Sequence, residues 1–551
     1  MRNALAVGQQ GTPQTRCFSL YLLGAMYLAP VIAMAIWSWQ AYRARSLATL
    51  LLATVLEGVL LAACTRTWRI FFLVHFPVFI LTLAFTIYTI GFGILPGQGL
   101  ALLLVTTSWE EVSGLLGISQ QRWLILPLMA LLVAYLALAW RLPRLPIFSG
   151  KALIAARILL ALSVPVAAFT AQDSAELIDG IALNPTFGTL LFIGGRVPEA
   201  LGAAAGAKVT KVPYHARRVG EGEEVHILII GESARRASWS AYGYQRPTTP
   251  YLDKLQHEAI FLQNMQADAN MTLWAVPMLL TGLSPAQITT VSITGNLFDL
   301  AKEAGYSTAW LVNQDIAISR VIGIKPDRLE YPKEAKVALF GSRLLDGVLL
   351  PAYRRELARG GTARFIGMHI TESHWDYNRR YPPEFQRFGV AAKLASISLF
   401  KPEPDLAAKL RDAYDNSVLY TDWFLQQVVE GARGLQVPAT VTFVADHGES
   451  LAALDVGYTG HGGTDYQHAQ FDIPAFIWVN EAYRQRHPQT VAALEHNSRK
   501  EIRSHDVFYT MADLMGITWP GAREERSFAS DRFVPDTTGQ YIAGGVLVTP
   551  P

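Results

Sequence analysis

The ionisable groups that could carry chemistry sit directly behind apolar runs. Residues 441–450, VTFVADHGES, place Asp446, His447 and Glu449 after a run of β-formers. Glu232 follows VHILIIG in the same way, FIGMHITESH leads to His374, and GYTGHGGTDYQH supplies His461 and His468. Carboxylate oxygens and imidazole nitrogens without thiolates suit Zn2+ in a catalytic setting, or Mn2+ or Mg2+. Such a centre keeps a position open for a hydroxyl. Beside a divalent cation a hydroxyl loses its proton more readily and becomes a nucleophile. Taken alone, DHGES also reads as a capped helix start with Asp446 near the N-cap. The recurrence of the pattern in four segments argues for convergence on one centre.

The nucleophile should be a Ser or Thr on a loop or helix start. ADANMTLWAVPMLLTG offers Thr272, after an Asn/Asp-rich turn and at the head of an apolar helical run. Amide dipoles at such a point favour negative charge, including an alkoxide or a phosphoryl group. From the residues alone, the plainer reading of Thr272 is an N-cap threonine.

Strands and helices must bring these groups together. VHILIIG, STAWLVN, ARFIGMHI, ATVTFVAD and IPAFIWV are continuous apolar runs of the kind buried on both faces of a sheet. Between them lie helical stretches, the longest being DLAAKLRDAYDNSVLYTDWFLQQVVEGAR. The alternation predicts an α/β domain with a mostly parallel sheet over 225–551. In such sheets, sites form beyond the carboxyl ends of the strands, where Glu232, Asp446 and His447 fall.

The rest of the chain differs in kind. The 551 residues carry a net charge of only +2, which gives no hint of a nucleic-acid partner. Five stretches, 20–39, 46–64, 70–94, 123–140 and 152–171, are long and apolar enough to be read as transmembrane helices, making 1–171 a membrane domain. Basic residues in the short loops favour a cytoplasmic N-terminus, which puts everything after 172 on the far side. Residues 172–224 read as a bridge, either a surface linker or in part an amphipathic helix on the membrane. Glu57 lies inside the second span, where a structural pairing with Arg157 of the fifth is expected. The only cysteines are Cys17 and Cys64, so the C-terminal domain has neither a disulfide framework nor a cysteine metal site.

GESARRASWSAYGYQRPTTPYLDKL, TLWAVPMLLTG, ESHWDYNRRYP, YDNSVLYTDWFL, ADHGESL and the His461–Gly462 pair before DIPAFIW occur in this order. Together they resemble the membrane-bound phosphoethanolamine transferases of Gram-negative bacteria, within the alkaline phosphatase/sulfatase superfamily. The resemblance covers the whole chain, since five spans precede the catalytic domain in that family too.

The resemblance implies a multi-pass inner-membrane enzyme with a periplasmic, sulfatase-like catalytic domain. Glu232, Thr272, Asp446 and His447 would bind Zn2+, with a second ion as an open option. Thr272 would attack phosphatidylethanolamine, release diacylglycerol and hold phosphoethanolamine as a covalent phospho-threonine. The acceptor would be lipid A, the lipopolysaccharide core or another envelope glycan. His374 and His461 would grip phosphoryl oxygens, assist proton transfer or hold the second metal, with His468 supporting the loop. Asn313 and Gln314 would contribute polar contacts to substrate. Thr107 and Glu111, four residues apart, would meet the donor's head group.

Departures are Leu103 where the family often has Asn, no family Lys after WLVNQ, and no disulfides. The alternatives are a metal-dependent phosphodiesterase or sulfatase-like hydrolase on the same centre, and a phosphoglycerol transferase. Sulfatase chemistry needs a Cys or Ser oxidised to formylglycine, and the candidate here is Thr272.

Overall fold

In the computed structural model, the described residues are 13–41, 44–65, 67–92, 122–147, 150–152, 154, 184–186, 193 and 211–550. Within the last stretch, 289–290, 315, 332–344, 376, 390–403, 456–458 and 464 are excepted. They fall into two compact units, one ending at Leu201 and one holding everything described from 211 on.

The first unit contains α1 (Pro13–Ala41), α2 (Ala44–Thr65), α3 (Trp68–Phe92) and α4 (Arg122–Arg141). Four of the five expected spans are therefore helical; nearly all of the fifth, with Arg157, lies outside the described residues. Among the described helices, two stretches, Phe18–Ile36 and Trp68–Thr86, are by themselves long and apolar enough to cross a membrane. The helices expose Ile32, Ile36, Val55, Val74, Val133 and Trp140 and bury Thr54, Glu57 and His75. Apolar outside and polar inside is the arrangement that hydrocarbon surroundings favour.

The described partners of Glu57 differ from the expected one. Its carboxylate accepts from Thr186 Oγ1 at 2.7 Å and Asn184 Nδ2 at 3.4 Å, and faces His75 Nε2 at 3.6 Å. Residues 184–186, expected in a bridge beyond the helices, are thus packed against the middle of α2. Their hydroxyl and amide satisfy a carboxylate that an apolar helix cannot.

The second unit is built on a seven-stranded sheet. Its strands are β1 (Val225–Gly231), β2 (Ala259–Phe261), β3 (Ser307–Val312), β4 (Arg328–Glu330), β5 (Arg364–His369), β6 (Ala439–Ala445) and β7 (Ala475–Val479). The order is β2-β7-β6-β1-β5-β3-β4. The five strands from β6 to β4 are parallel, while β7 runs antiparallel to both β6 and β2. The mostly parallel expectation is refined to a mixed sheet. β1 and β6 are buried along their whole length because helices cover both faces. The helices that matter for the site are α5 (Thr272–Thr281), α6 (Pro404–Arg433) and α7 (Asp506–Leu514).

Register places the strand ends at one level. Gly231 pairs with Ala445, Ile230 with His369, and Val312 with His369. The segments that follow β1, β6, β5 and β3 therefore leave the sheet side by side. Gly231 permits the closest approach: a Cβ there would overlap Glu372 Oε2 and stand 2.8 Å from the Phe443 ring.

Candidate metal and phosphoryl-transfer site

Beyond those four strand ends, side chains converge. Glu232 and Asp446 are the first residues after β1 and β6, and His447 follows; all three are buried. Thr272 is the first residue of α5. The N-cap is Met271, extended at φ −148° and ψ 135°, and it makes no side-chain cap bond. The Thr272 hydroxyl is thus not a helix cap. It donates toward Glu232, 2.9 Å from Oε2 and 3.1 Å from Oε1, and lies 3.3 Å from His447 Nε2.

The donor separations suit a small divalent cation. His447 Nε2 is 3.3 Å from Glu232 Oε1 and 3.7 Å from Asp446 Oδ2. Tetrahedral zinc with bonds of about 2.0–2.1 Å spaces its ligands by about 3.3 Å. Asp446 Oδ2 is a buried carboxylate oxygen with no hydrogen-bond partner among the described residues, as an atom facing a cation would be. Glu232, His447 and His461 also offer atoms within 4.8 Å of one another. Thr272 and Asp446, expected in the ligand set, stand beside His447 as well, at 3.3 Å and 3.7 Å from its Nε2.

The electrostatics agree. Burial raises the Asp446 carboxyl, and the neighbouring Glu232 charge raises it further. Burial opposes ionisation of Glu232 too, but the hydrogen bond and charge of His447, with His374 and His461, hold it below its ordinary value. Burial works against charge on His447, yet Asp446 and Glu232 overcome it and push the imidazole up to about 10. Crowded buried carboxylates keeping a proton on an imidazole are what a cation would relieve.

Three imidazoles are fixed in one sense. His447 Nδ1 donates to Gly448 O at 2.9 Å, His374 Nδ1 to Trp375 O at 2.8 Å, and His461 Nδ1 to Glu449 Oε2 at 2.6 Å. In each ring Nδ1 is thereby the bound donor, and in His447 it is Nε2 that faces Glu232 and Thr272. The His461 ring centroid lies 4.2 Å from that of His447 and 6.1 Å from that of His374. Glu449 also accepts from the Tyr377 hydroxyl. Arg380 fixes the His374 turn by donating from Nε to His374 O at 2.8 Å and from Nη2 to Trp375 O at 2.9 Å.

The remaining expected site residues fall in several places. Gln314, expected at the substrate, donates from Nε2 to Glu232 Oε2 at 2.8 Å. Asn313 is buried and donates to Asp346 Oδ1 at 2.8 Å and Thr371 Oγ1 at 2.9 Å, a step behind the site. His468 is 68% exposed, and its described contacts are with Tyr466 and Asp472 rather than with the centre. Thr107 and Glu111 lie outside the described residues. The sequence reading missed Ser233, Tyr377 and Arg380 as supports. ESHWDYNRRYP held two of these, but no spacing signalled their partners.

Comparison with known proteins agrees with this geometry. The family described as Sulfatase matches residues 225–517. Phosphoethanolamine transferase EptC of Escherichia coli is 23% identical over 320 residues, 56% of this chain and 54% of the relative, so the match spans about half the relative's length. The integral membrane protein lipooligosaccharide phosphoethanolamine transferase A of Neisseria meningitidis shares the fold. It has a TM-score of 0.67 at 20% identity, over 93% of this chain and 98% of that one. The periplasmic domain of EptC from Escherichia coli in complex with Zn has a TM-score of 0.53 at 20% identity, covering 62% of this chain and 96% of that one.

Proposed function

We propose that this chain, which belongs to the sulfatase family, transfers phosphoethanolamine from phosphatidylethanolamine to a cell-envelope acceptor through Thr272. The observation that carries the reading is the Thr272 hydroxyl at the head of α5, directed at a carboxylate and an imidazole instead of capping its helix. The similarity to named phosphoethanolamine transferases supports a phosphoethanolamine transfer over other reactions open to the family. The sulfatase reaction itself suits the chain less well. The nucleophile position is a threonine, and both cysteines precede the second unit.

Glu232, Asp446 and His447 would hold a divalent cation, zinc by their ligand chemistry. When bound, it would lower the proton affinity of a neighbouring hydroxyl and offset charge on phosphoryl oxygens. Thr272 Oγ1 passes its proton toward the carboxylate of Glu232 and forms a bond to phosphorus. The phosphorus–oxygen bond to the glycerol breaks, and diacylglycerol leaves with a proton from the Nε2 of His461 or His374. An acceptor hydroxyl then attacks phospho-Thr272 and gives its proton to the imidazole that lost one, the bond to Oγ1 breaks, and Thr272 takes its proton back from Glu232. The two imidazoles also face the phosphoryl oxygens and stabilise their charge in both steps.

A lipid donor fits a chain whose first unit has an apolar exterior. In this reading that unit is a multi-pass inner-membrane anchor and the second unit is periplasmic. Thr107 and Glu111 are assigned to the donor's ammonium group, and the acceptor is lipid A, the lipopolysaccharide core or another envelope glycan. The test is mass spectrometry of lipopolysaccharide and glycans from cells with and without the chain. An added phosphoethanolamine that depends on the chain supports the reading, and identical profiles reject it.

A further inference from the structure

The stretch Tyr414–Ser417 has no part in the reading above, yet all four residues are buried at the middle of α6. A helix buried on every side can address a different loop with each consecutive residue. Asp415 accepts from the Tyr244 hydroxyl at 3.0 Å and Arg246 Nη1 at 2.7 Å, and Asn416 accepts from the amides of Arg387 and Phe388 at 2.8 and 2.9 Å. Tyr414 is the member whose contacts reach the turn behind Glu232. Its hydroxyl donates to Ser233 O at 2.7 Å and accepts from Arg235 N–H at 2.8 Å.

That turn is strained. Ser233 has φ 56°, a left-handed conformation that a residue with a Cβ adopts only where its surroundings enforce it. In this conformation the Ser233 amide donates to Asp446 Oδ1 at 3.2 Å and its hydroxyl to Glu232 Oε1 at 2.9 Å. One serine thereby ties together the two carboxylates of the centre. Relaxation to negative φ would release both, and the two Tyr414 hydrogen bonds hold the peptide units on either side of Ala234, directly after Ser233.

We propose that Tyr414 is a positioning residue for the cation site: by pinning the strained Ser233 turn it sets the spacing of Glu232 and Asp446, and so the affinity for a divalent cation. This rests on the assignment of Glu232, Asp446 and His447 as metal ligands.

The test is Zn2+ affinity by chelator competition, on the full-length chain in detergent. Tyr414→Phe keeps the ring and removes the hydroxyl; affinity should fall about ten- to a hundredfold, as when support behind a ligand is lost. Asp422→Ala is the control. It lies on the same helix and accepts from the amides of Tyr251 and Leu252 at 2.8 and 3.0 Å, so it should lower the melting temperature and leave zinc affinity at the wild-type value. Wild-type affinity in Tyr414→Phe, or an equal loss in Asp422→Ala, overturns the proposal. Ser233→Val reaches the same turn independently, because a β-branched residue resists positive φ. Unchanged affinity there overturns the proposal even if Tyr414→Phe does not fold. Glu232→Ala separates the premise: if it binds zinc like wild type, the ligand assignment itself is wrong.

Discussion

Thr272 Oγ1 lies 2.9 Å from Glu232 Oε2, although 40 residues of chain separate them. β1 delivers the carboxylate and α5 delivers the hydroxyl, so neither residue depends on a long flexible side chain. Removing the hydroxyl takes away the nucleophile and one candidate ligand atom but leaves Glu232, Asp446 and His447 in place. Thr272→Ala should lower transfer roughly a thousandfold or more, as for loss of a covalent nucleophile. Cells carrying Thr272→Ala should show no added phosphoethanolamine by mass spectrometry. Wild-type levels of that addition would mean that another group is the nucleophile.

Zinc binding should depend on pH with a definite sign. The His447 imidazole, against an ordinary value near 6.5, is pushed up to about 10 by Asp446 and Glu232 in spite of its burial. Its folded-state value is the higher one. The stability it lends the metal-free protein is therefore complete below about pH 6.5 and is lost as pH rises toward 10. A cation must displace that proton, so zinc affinity should rise across the same window, by up to about tenfold per pH unit for one proton. The check is thermal unfolding of chelator-treated protein with and without Zn2+ at several pH values. The zinc-induced rise in melting temperature should be larger at high pH; a flat or inverted trend contradicts the ligand role of His447.

The sequence pattern located the two central strands that lead into the candidate site because they are long and buried. β1 and β6 are continuous β-branched runs, and the residue after each is a carboxylate. The edge strands β2 and β4, three residues each, were not legible. Their pairing comes from neighbours, not from periodicity. IPAFIWV was expected as a strand, but its antiparallel direction is set by the path of the chain between β6 and β7. Side-chain contacts across loops were the least legible. Gln314 meets a ligand carboxylate only because β3 ends level with β1. Glu449 meets His461 because the Ser450–Gly460 bridge folds that loop back.

Glu449 should act on turnover and not on metal binding. It holds His461 Nδ1 at 2.6 Å and is itself buried. The hydrogen bond to its carboxylate keeps the imidazole oriented. Glu449→Gln preserves shape and weakens this support. Turnover should fall roughly ten- to a hundredfold with KM and zinc affinity little changed. Steady-state kinetics alongside a zinc titration separate the two. A loss of zinc affinity as large as the loss of turnover would instead place His461 among the ligands.

Glu57 should matter to the first unit without touching the chemistry. It is 3% exposed, and its oxygens are the acceptors for Thr186 Oγ1 and Asn184 Nδ2. Glu57→Ala takes the acceptor from the buried Thr186 hydroxyl, at a cost of about 1–3 kcal/mol, while Asn184 Nδ2 keeps its bond to Thr54 Oγ1 at 3.1 Å. Glu57→Gln keeps the shape and one acceptor oxygen for the Thr186 hydroxyl, and gives up the second acceptor and the charge facing His75, so it should be the milder change. Thermal unfolding of the full-length chain in detergent ranks them. The expected order of melting temperature is wild type, then Glu57→Gln, then Glu57→Ala. If Glu57→Ala unfolds at the wild-type temperature, the 184–186 segment is not held to α2 by this carboxylate.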